Sequence, residues 1–358
     1  MKLLSFPYLI QKEILGHLSI KNLFFLSLCS KNTENFIIRI EKNALQKVEQ
    51  VQYWINGSVM WIDLQMVSSQ NRDMVLKLYE TDTDFKREQH CDSVEEVRVD
   101  GLGTYFFRCP TNHSNLHAKY CPATGESIIE KIHGQLYHLL GSHTKYWMSI
   151  TGSLNTRTRF LPMIKNIQKM ELAGDGLRST KVDRFLSKST CLEHFSLVTL
   201  RNNRCRLKKD SKLYELDTVY VLTDSPLSAD LMERFNGRHV FFKDYQISTA
   251  GVIWFLNTWK LGEKFQKLEV FGIGASYPIG EIRNHIELKR LNRAVEYPFV
   301  RRFHEPSFFQ EYHREKFESN LYMVRETDGH VASVMLSHYR ILMGVWNMTE
   351  REFLTKFQ

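Results

Sequence analysis

Cys109, His113, His117 and Cys121 recur at a four-residue step, and all four side chains are good zinc ligands. Two Cys and two His suit a tetrahedral ion. A four-residue step gathers such ligands on one face only in a helix, and Pro110, Pro122 and an asparagine-rich interior predict a loop instead. No metal is expected there. Arg201, Arg204, Arg206, Lys208, Lys209 and Lys212 form a basic run opposed only by Asp210. Arginine pairs bidentately with carboxylates and phosphates, so the first five of these are candidate ligand-binding residues. The same charges suit a nucleic-acid backbone, and a solvated loop is the plainest reading. A second cationic stretch, Lys289, Arg290, Arg293, Arg301 and Arg302, has Tyr297, Phe299 and Phe303 beside it. Alternating cations and rings are also what single-stranded nucleic acid needs. Motifs for catalysis are missing: the sequence has no Gly-x-Ser-x-Gly elbow, no Walker-type phosphate loop and no His-Glu-x-x-His. Gly272-Ile273-Gly274 lacks the third glycine and the following helix of a dinucleotide site. No catalytic residue and no cofactor are expected.

The elements that must carry these residues come from periodicity. Val51 to Ile62 is rich in aromatic and β-branched residues around Asn56-Gly57, which predicts a β-hairpin with its turn at that pair. A weaker turn at Asn71-Arg72-Asp73 precedes a strand over 74–78. The template apolar-x-x-apolar-x-apolar then recurs at Val94/Val97/Val99, Ile167/Met170/Leu172, Leu192/Phe195/Leu197, Leu216/Val219/Val221 and Leu268/Phe271/Ile273. Partial copies are Met148/Ile150 and Val240/Phe242. From residue 150 the last apolar position steps by 22, 25, 24, 21 and 31 residues. All but the last step match a leucine-rich-repeat period of roughly 20–29 residues. Helical patterns fall between copies, at Ile129–Leu140, Val182–Leu186, Leu227–Phe235 and Val252–Trp259. Ser248 is the expected N-cap of the last and Gly262 its stop. Strand and helix alternating at this period predict a curved parallel stack; an irregular α+β domain with evenly spaced strands is the alternative. Asp328-Gly329 predicts a hairpin turn, and a third strand at 341–346 would complete a meander. The stretch from about 100 to 165 is the least patterned.

The first forty residues are too apolar for their length. Pro7 reads as a helix-start proline, followed by Ile10, Ile14, Leu15 and Leu18 at helical spacing. Ile20, Leu23, Phe24, Leu26 and Leu28 make a second, nearly all-round apolar helix. Ser30 and Asn32 are candidate caps of a third, through Phe36, Ile37 and Ile40. So small a unit does not normally bury enough surface to fold alone. It needs apolar surface from the rest of the chain, as a cap, or from another protein, as a dock.

Phe6-Pro7, then Ile14-Leu15, Leu23 and the string Leu26-Ser27-Leu28-Cys29-Ser30-Lys31 closely resemble the F-box. They are similar in particular to the large nematode group of F-box proteins with an F-box-associated type 2 region. Phe255-Leu256-Asn257-Thr258-Trp259-Lys260-Leu261-Gly262 with Leu268-Glu269 resembles a second signature of that group, and Asp328-Gly329 with Val345-Trp346 resembles its ending. The resemblance implies an α+β chain: a three-helix F-box over 1–44, then an F-box-associated substrate-recognition domain over 45–358. That domain would be a leucine-rich-repeat-like α/β curved stack closed by a C-terminal β-meander. It implies a non-catalytic substrate-recognition subunit of a cullin-type (SCF) ubiquitin ligase. A Skp-type linker, and through it a cullin, would dock on Phe6, Pro7, Ile10, Ile14, Leu15, Leu18, Leu23, Leu26 and Leu28. An unknown target protein would bind the larger domain, with Arg201, Arg204, Arg206, Lys208 and Lys209 as candidate contacts. A scaffold outside any ligase, or a basic nucleic-acid-binding protein, are the alternatives.

Composition fits an ordinary globular chain. Of 358 residues, 43% are hydrophobic and 25% charged, with a formal net charge of +8 that mildly favours acidic partners. Six dilute, irregularly spaced cysteines suit reduced thiols in the cytoplasm or nucleus better than a disulfide framework. Met1-Lys2 and the apolar run that follows invite a secretory reading, but Pro7 and Gln11-Lys12-Glu13 interrupt it and no small-residue cleavage site follows. No stretch reaches the length of a membrane span.

Overall fold

The computed structural model describes residues 3–67, 72–80, 97–99, 104–109, 112–121, 124–152, 162, 164–174, 179–198, 207–222, 227–243, 247–298 and 317–358. Helix and strand are mixed, and the chain divides into two compact units.

The first unit holds 1–169 with 188–191. It opens with four helices: α1 (Tyr8–Gly16), α2 (Ile20–Ser27), α3 (Lys31–Ile40) and the short α4 (Lys42–Leu45). Pro7 stands immediately before α1 with φ −56° and ψ 146°, where its missing amide costs nothing. Ser19 and Ser30 cap the next two helices, accepting from the amides of Asn22 at 3.3 Å and Thr33 at 3.1 Å. Leu15, Leu23, Phe24 and Ile37 are fully buried between these helices.

Seven strands follow in the spatial order β7-β1-β2-β3-β6-β5-β4: β1 (Val48–Asn56), β2 (Val59–Met66), β3 (Arg72–Glu80), β4 (Val97–Val99), β5 (Thr104–Cys109), β6 (Asn112–Tyr120) and β7 (Lys145–Thr151). The β1–β2 hairpin forms as expected, but Asn56 pairs with Val59, so the turn is Gly57-Ser58 rather than Asn56-Gly57. Gly57 takes φ 63°, and a glycine at the first central position suits a tight hairpin. Arg72 and Asp73 belong to β3 rather than to a turn. Val97 and Val99 do not join a parallel series, because β4 pairs antiparallel with β5. Val94 lies outside the described residues.

The helix α5 (Gly125–Leu140) lies on one face of β1 and β7. His133 on α5 is hydrogen-bonded through Nδ1 to the Tyr53 hydroxyl at 2.8 Å and meets the Tyr146 ring edge-on at 5.0 Å. Burial pushes its imidazole down to about 4. The unfolded chain therefore takes up this proton first, so folding stability is full above the ordinary histidine range and is lost as pH falls toward 4. The loss expected from this residue is on the order of 3 kcal/mol across that window. Urea midpoints of wild type and His133→Gln should diverge as pH falls from 7 to 4.5; parallel curves would refute this assignment.

The second unit holds 170–187 and 192–358. Its strands run in the order β13-β14-β15-β16-β12-β11-β10-β9-β8. They are β8 (Lys169–Ala173), β9 (His194–Val198), β10 (Thr218–Leu222), β11 (His239–Phe242), β12 (Val270–Ile273), β13 (Lys289–Glu296), β14 (Glu318–Val324), β15 (His330–Ser337) and β16 (Arg340–Thr349). Strands β9 to β12 are parallel. The recurring template explains their register: Phe195, Val219, Val240 and Phe271 stand side by side, and so do Leu197, Val221, Phe242 and Ile273. Both rows are buried. Helices α6 (Ser179–Lys188), α7 (Leu227–Arg234) and α8 (Thr249–Leu261) separate successive strands, while only a short 3-10 turn (Lys212–Glu215) is described between β9 and β10.

The ends of α8 are as expected. Ser248 accepts from the Gly251 amide at 3.1 Å, and Gly262 closes the helix at φ 72°. A Cβ at Gly262 would also lie 2.2 Å from the Thr327 hydroxyl oxygen, so no other residue fits. A short helix, α9 (Ile279–His285), follows β12. The meander β13 to β16 forms and joins β12 through an antiparallel β16. Its Asp-Gly loop spans 326–329, because the Arg325 amide donates to the His330 carbonyl at 2.8 Å. Helix α10 (Glu350–Phe357) ends the chain, with a reciprocal capping box between Thr349 and Glu352.

Candidate functional site

Gln11 shapes the leading edge of α1. Its side-chain amide donates to the carbonyls of Phe6 at 2.7 Å and Leu3 at 3.3 Å, folding the entering turn back on the helix. The apolar residues that follow then have nowhere to hide. Phe6 is 37% exposed, Tyr8 54%, Leu9 76% and Ile10 47%. Pro7 is exposed as well. Of Phe6, Ile10, Ile14 and Leu18, which recur every four residues, only Ile10 and Ile14 lie within α1; Phe6 precedes it and Leu18 follows it. Contiguous exposure of large apolar side chains marks an interaction surface.

Of the nine residues expected to dock a linker, Phe6, Pro7 and Ile10 are exposed, and Ile14, Leu18, Leu26 and Leu28 are half-buried. Leu15 and Leu23 are fully buried and hold the helices together. Tyr8 and Leu9 were not among the nine, although Leu9 is the most exposed apolar side chain on α1. The run Phe6-Pro7-Tyr8-Leu9-Ile10, read as a block rather than by period, would have found both.

The other faces of the helix set turn inward. Gln135 on α5 donates to the Ser27 hydroxyl at 3.1 Å and to its carbonyl at 3.4 Å. Glu34 on α3 is buried and accepts from Lys31 at 2.7 Å, and His138 of α5 approaches its other oxygen at 2.6 Å. Lys31 belongs to α3 itself, so His138 is the contact of this carboxylate that reaches across to α5. These helices are therefore a cap of their own unit on one side and open on another.

Of the second cationic stretch, Phe299, Arg301, Arg302 and Phe303 lie outside the described residues. Arg201, Arg204 and Arg206 lie outside the described residues. Lys208 and Lys209 are exposed, and Lys212 donates to the Ser187 carbonyl at 3.2 Å. Lys289 pairs with Glu350 at 2.7 Å, and Arg293 donates to the Phe357 carbonyl at 3.1 Å. The expected loop around Cys109, His113 and His117 is instead the β5–β6 hairpin, whose residues pair with one another. His117 stacks on Tyr79 with ring centroids 5.7 Å apart. Among the described residues no cluster of three or more His, Cys, Asp or Glu is arranged for a metal.

A model of the F-box domain matches residues 3–43. No curated protein and no solved structure matches the chain. The three N-terminal helices and the mixed helix-and-sheet content fit that domain at the head of a larger chain. F-box domains generally bind Skp-type linkers and through them cullins, and F-box proteins are typically non-catalytic adaptors of SCF-type ligases. No helix of the described residues is long and apolar enough to cross a membrane.

Proposed function

We propose that this chain is a substrate-recognition subunit of a cullin-type ubiquitin ligase, docking a Skp-type linker through α1 and presenting a target protein with the remainder. The observation that carries this reading is the exposed run Phe6 to Ile10 inside the segment that matches the F-box. The dock is Phe6, Pro7, Leu9, Ile10, Ile14 and Leu18, extended by Leu26 and Leu28, with Leu15 and Leu23 supporting it from beneath. Ligation would follow from proximity, because tethering a target raises the effective concentration of its lysines. No residue of this chain takes part in bond making.

The domain boundary is taken at 44/45, and the region after it is read as the F-box-associated type 2 region of the nematode group. The parallel strands β9 to β12 support a leucine-rich-repeat-like stack, curved by its repetition. The cytoplasm or nucleus is the compartment where such a ligase works, and it suits the dilute cysteines. Co-expression with a Skp-type linker tests the reading. A stable complex that elutes together in gel filtration, and that recruits a cullin on addition, is the expected result. A chain that stays folded and captures no linker would refute it.

A further inference from the structure

Leu26 and Leu28, two residues of the dock, sit on either side of Ser27, the last residue of α2. Helix α2 has eight residues, and an isolated helix that short is marginal in water. What holds its end therefore decides where the two leucines point. Ser27 is 2% exposed, and its hydroxyl donates to the Phe24 carbonyl at 2.6 Å. A carbonyl in the last turn of a helix has no partner within that helix. For Ser27 the partner is the Gln135 side-chain amide, which donates to both its carbonyl and its hydroxyl. Gln135 lies 108 residues away, on α5.

The head of α3 is held from the same side. A carboxylate only accepts, so the His138 Nδ1 that stands 2.6 Å from Glu34 Oε1 carries the hydrogen. An ammonium only donates, so Nε2, 3.3 Å from Lys31 Nζ, is the accepting nitrogen of that ring. Lys31 also donates to Glu34, which closes the triad. Gln135 and His138 are three residues apart and share a face of α5. Another face of α5 is fixed to its own unit, where Ile132, Leu136, Leu139 and Leu140 are buried and His133 bonds to Tyr53 of β1. The corner between α2 and α3 is thus gripped at both ends by one anchored helix. The run Phe6 to Ile10 is different: Gln11 fixes its entering turn locally.

We propose that Gln135 and His138 are positioning residues of the linker dock, clamping the α2–α3 corner in the orientation that presents Leu26 and Leu28. The proposal rests on the adaptor reading. It places part of what the dock needs about a hundred residues beyond the segment that matches the F-box.

The test measures the affinity of the full-length chain for a recombinant Skp-type linker by titration calorimetry. Gln135→Met keeps the length of the side chain and removes its donor. Combined with His138→Ala it should weaken binding about tenfold, because two hydrogen-bonded contacts are lost. Unfolding should stay cooperative, since neither residue is buried. His138→Asn places an amide nitrogen where Nδ1 stood and should recover most of what His138→Ala loses. A merely structural role would not separate one dock leucine from another. Leu28→Ala should weaken binding about fivefold in wild type and under about twofold in the Gln135→Met/His138→Ala background, while Leu9→Ala has the same effect in both. The proposal falls if the α5 double variant binds as wild type does, if Leu28→Ala is as additive as Leu9→Ala, or if His138→Asn binds no better than His138→Ala. In each of those cases wild type still captures the linker and the adaptor reading stands. A folded wild type that captures no linker would overturn both.

Discussion

Leu9→Asp together with Ile10→Asp is expected to abolish capture of a Skp-type linker while both units stay folded. Leu9 is 76% exposed and Ile10 47%, so neither is needed to hold α1 against its neighbours. Burying two such side chains in an interface contributes about 1.5–3 kcal/mol each. Their replacement also forces two carboxylates out of water, which costs more again. A loss of roughly 3–6 kcal/mol is a factor of about 100 to 10,000 in affinity. Gel filtration with the linker reads the loss directly, and unchanged thermal unfolding shows that the fold has survived. Leu15→Asp is the contrasting variant. Leu15 is fully buried, so that substitution should unfold the helix set itself. Linker capture by the Leu9/Ile10 variant at wild-type strength would remove α1 from the interface.

Trp259→Ala should be the most damaging single truncation in the second unit. The indole is fully buried on α8, and the Arg325 guanidinium lies 5.2 Å from its ring. Arg325 is itself 4% exposed, paired with Asp328 through Nε at 2.9 Å and Nη2 at 2.6 Å, and its Nη1 donates to the Gln266 carbonyl at 3.3 Å. That pairing holds the Asp328 carboxyl well below the usual carboxylate range. Removing the indole leaves a large cavity, at a cost of about 3–5 kcal/mol. It also strips a desolvated cation of its ring partner, worth up to about 2 kcal/mol. Against a typical domain stability of about 5–15 kcal/mol, that is enough to leave the unit marginal. Trp254→Ala on the same helix is the control, since Trp254 is 41% exposed and should cost under about 1.5 kcal/mol. Equal losses in the two variants, measured by urea unfolding, would contradict this account.

Local chemistry made much of this legible. A proline before α1, serines at the heads of α3 and α8 and a glycine at the end of α8 act through backbone atoms a few residues away. The strand template was readable for a similar reason. Positions buried on the same face of a strand recur at fixed spacing, and in β9 to β12 they become two straight rows. The misreadings are non-local or a matter of register. The strand β6 carries two asparagines and two histidines, a loop composition, yet its backbone is held by pairing with β3 and β5. One residue of register at Gly57 moved the turn, and with it the partner of Trp54.

The sequence by itself determined the start of α1 and the caps of α3 and α8, which residues seek burial, and that the first forty residues resemble an F-box. Those properties reside in spacing and in side-chain type. Only the tertiary structure decided which apolar residues remain outside. Leu9 and Leu15 are the same side chain six residues apart on one helix, and α3 had to pack against α1 before one was open and the other closed. The same holds for Glu34, whose burial needs His138 more than a hundred residues away, and for Trp54 and Trp61, which meet only when two strands pair. Burial and charge pairing depend on what arrives from elsewhere in the chain, and single-sequence periodicity carries no record of that arrival.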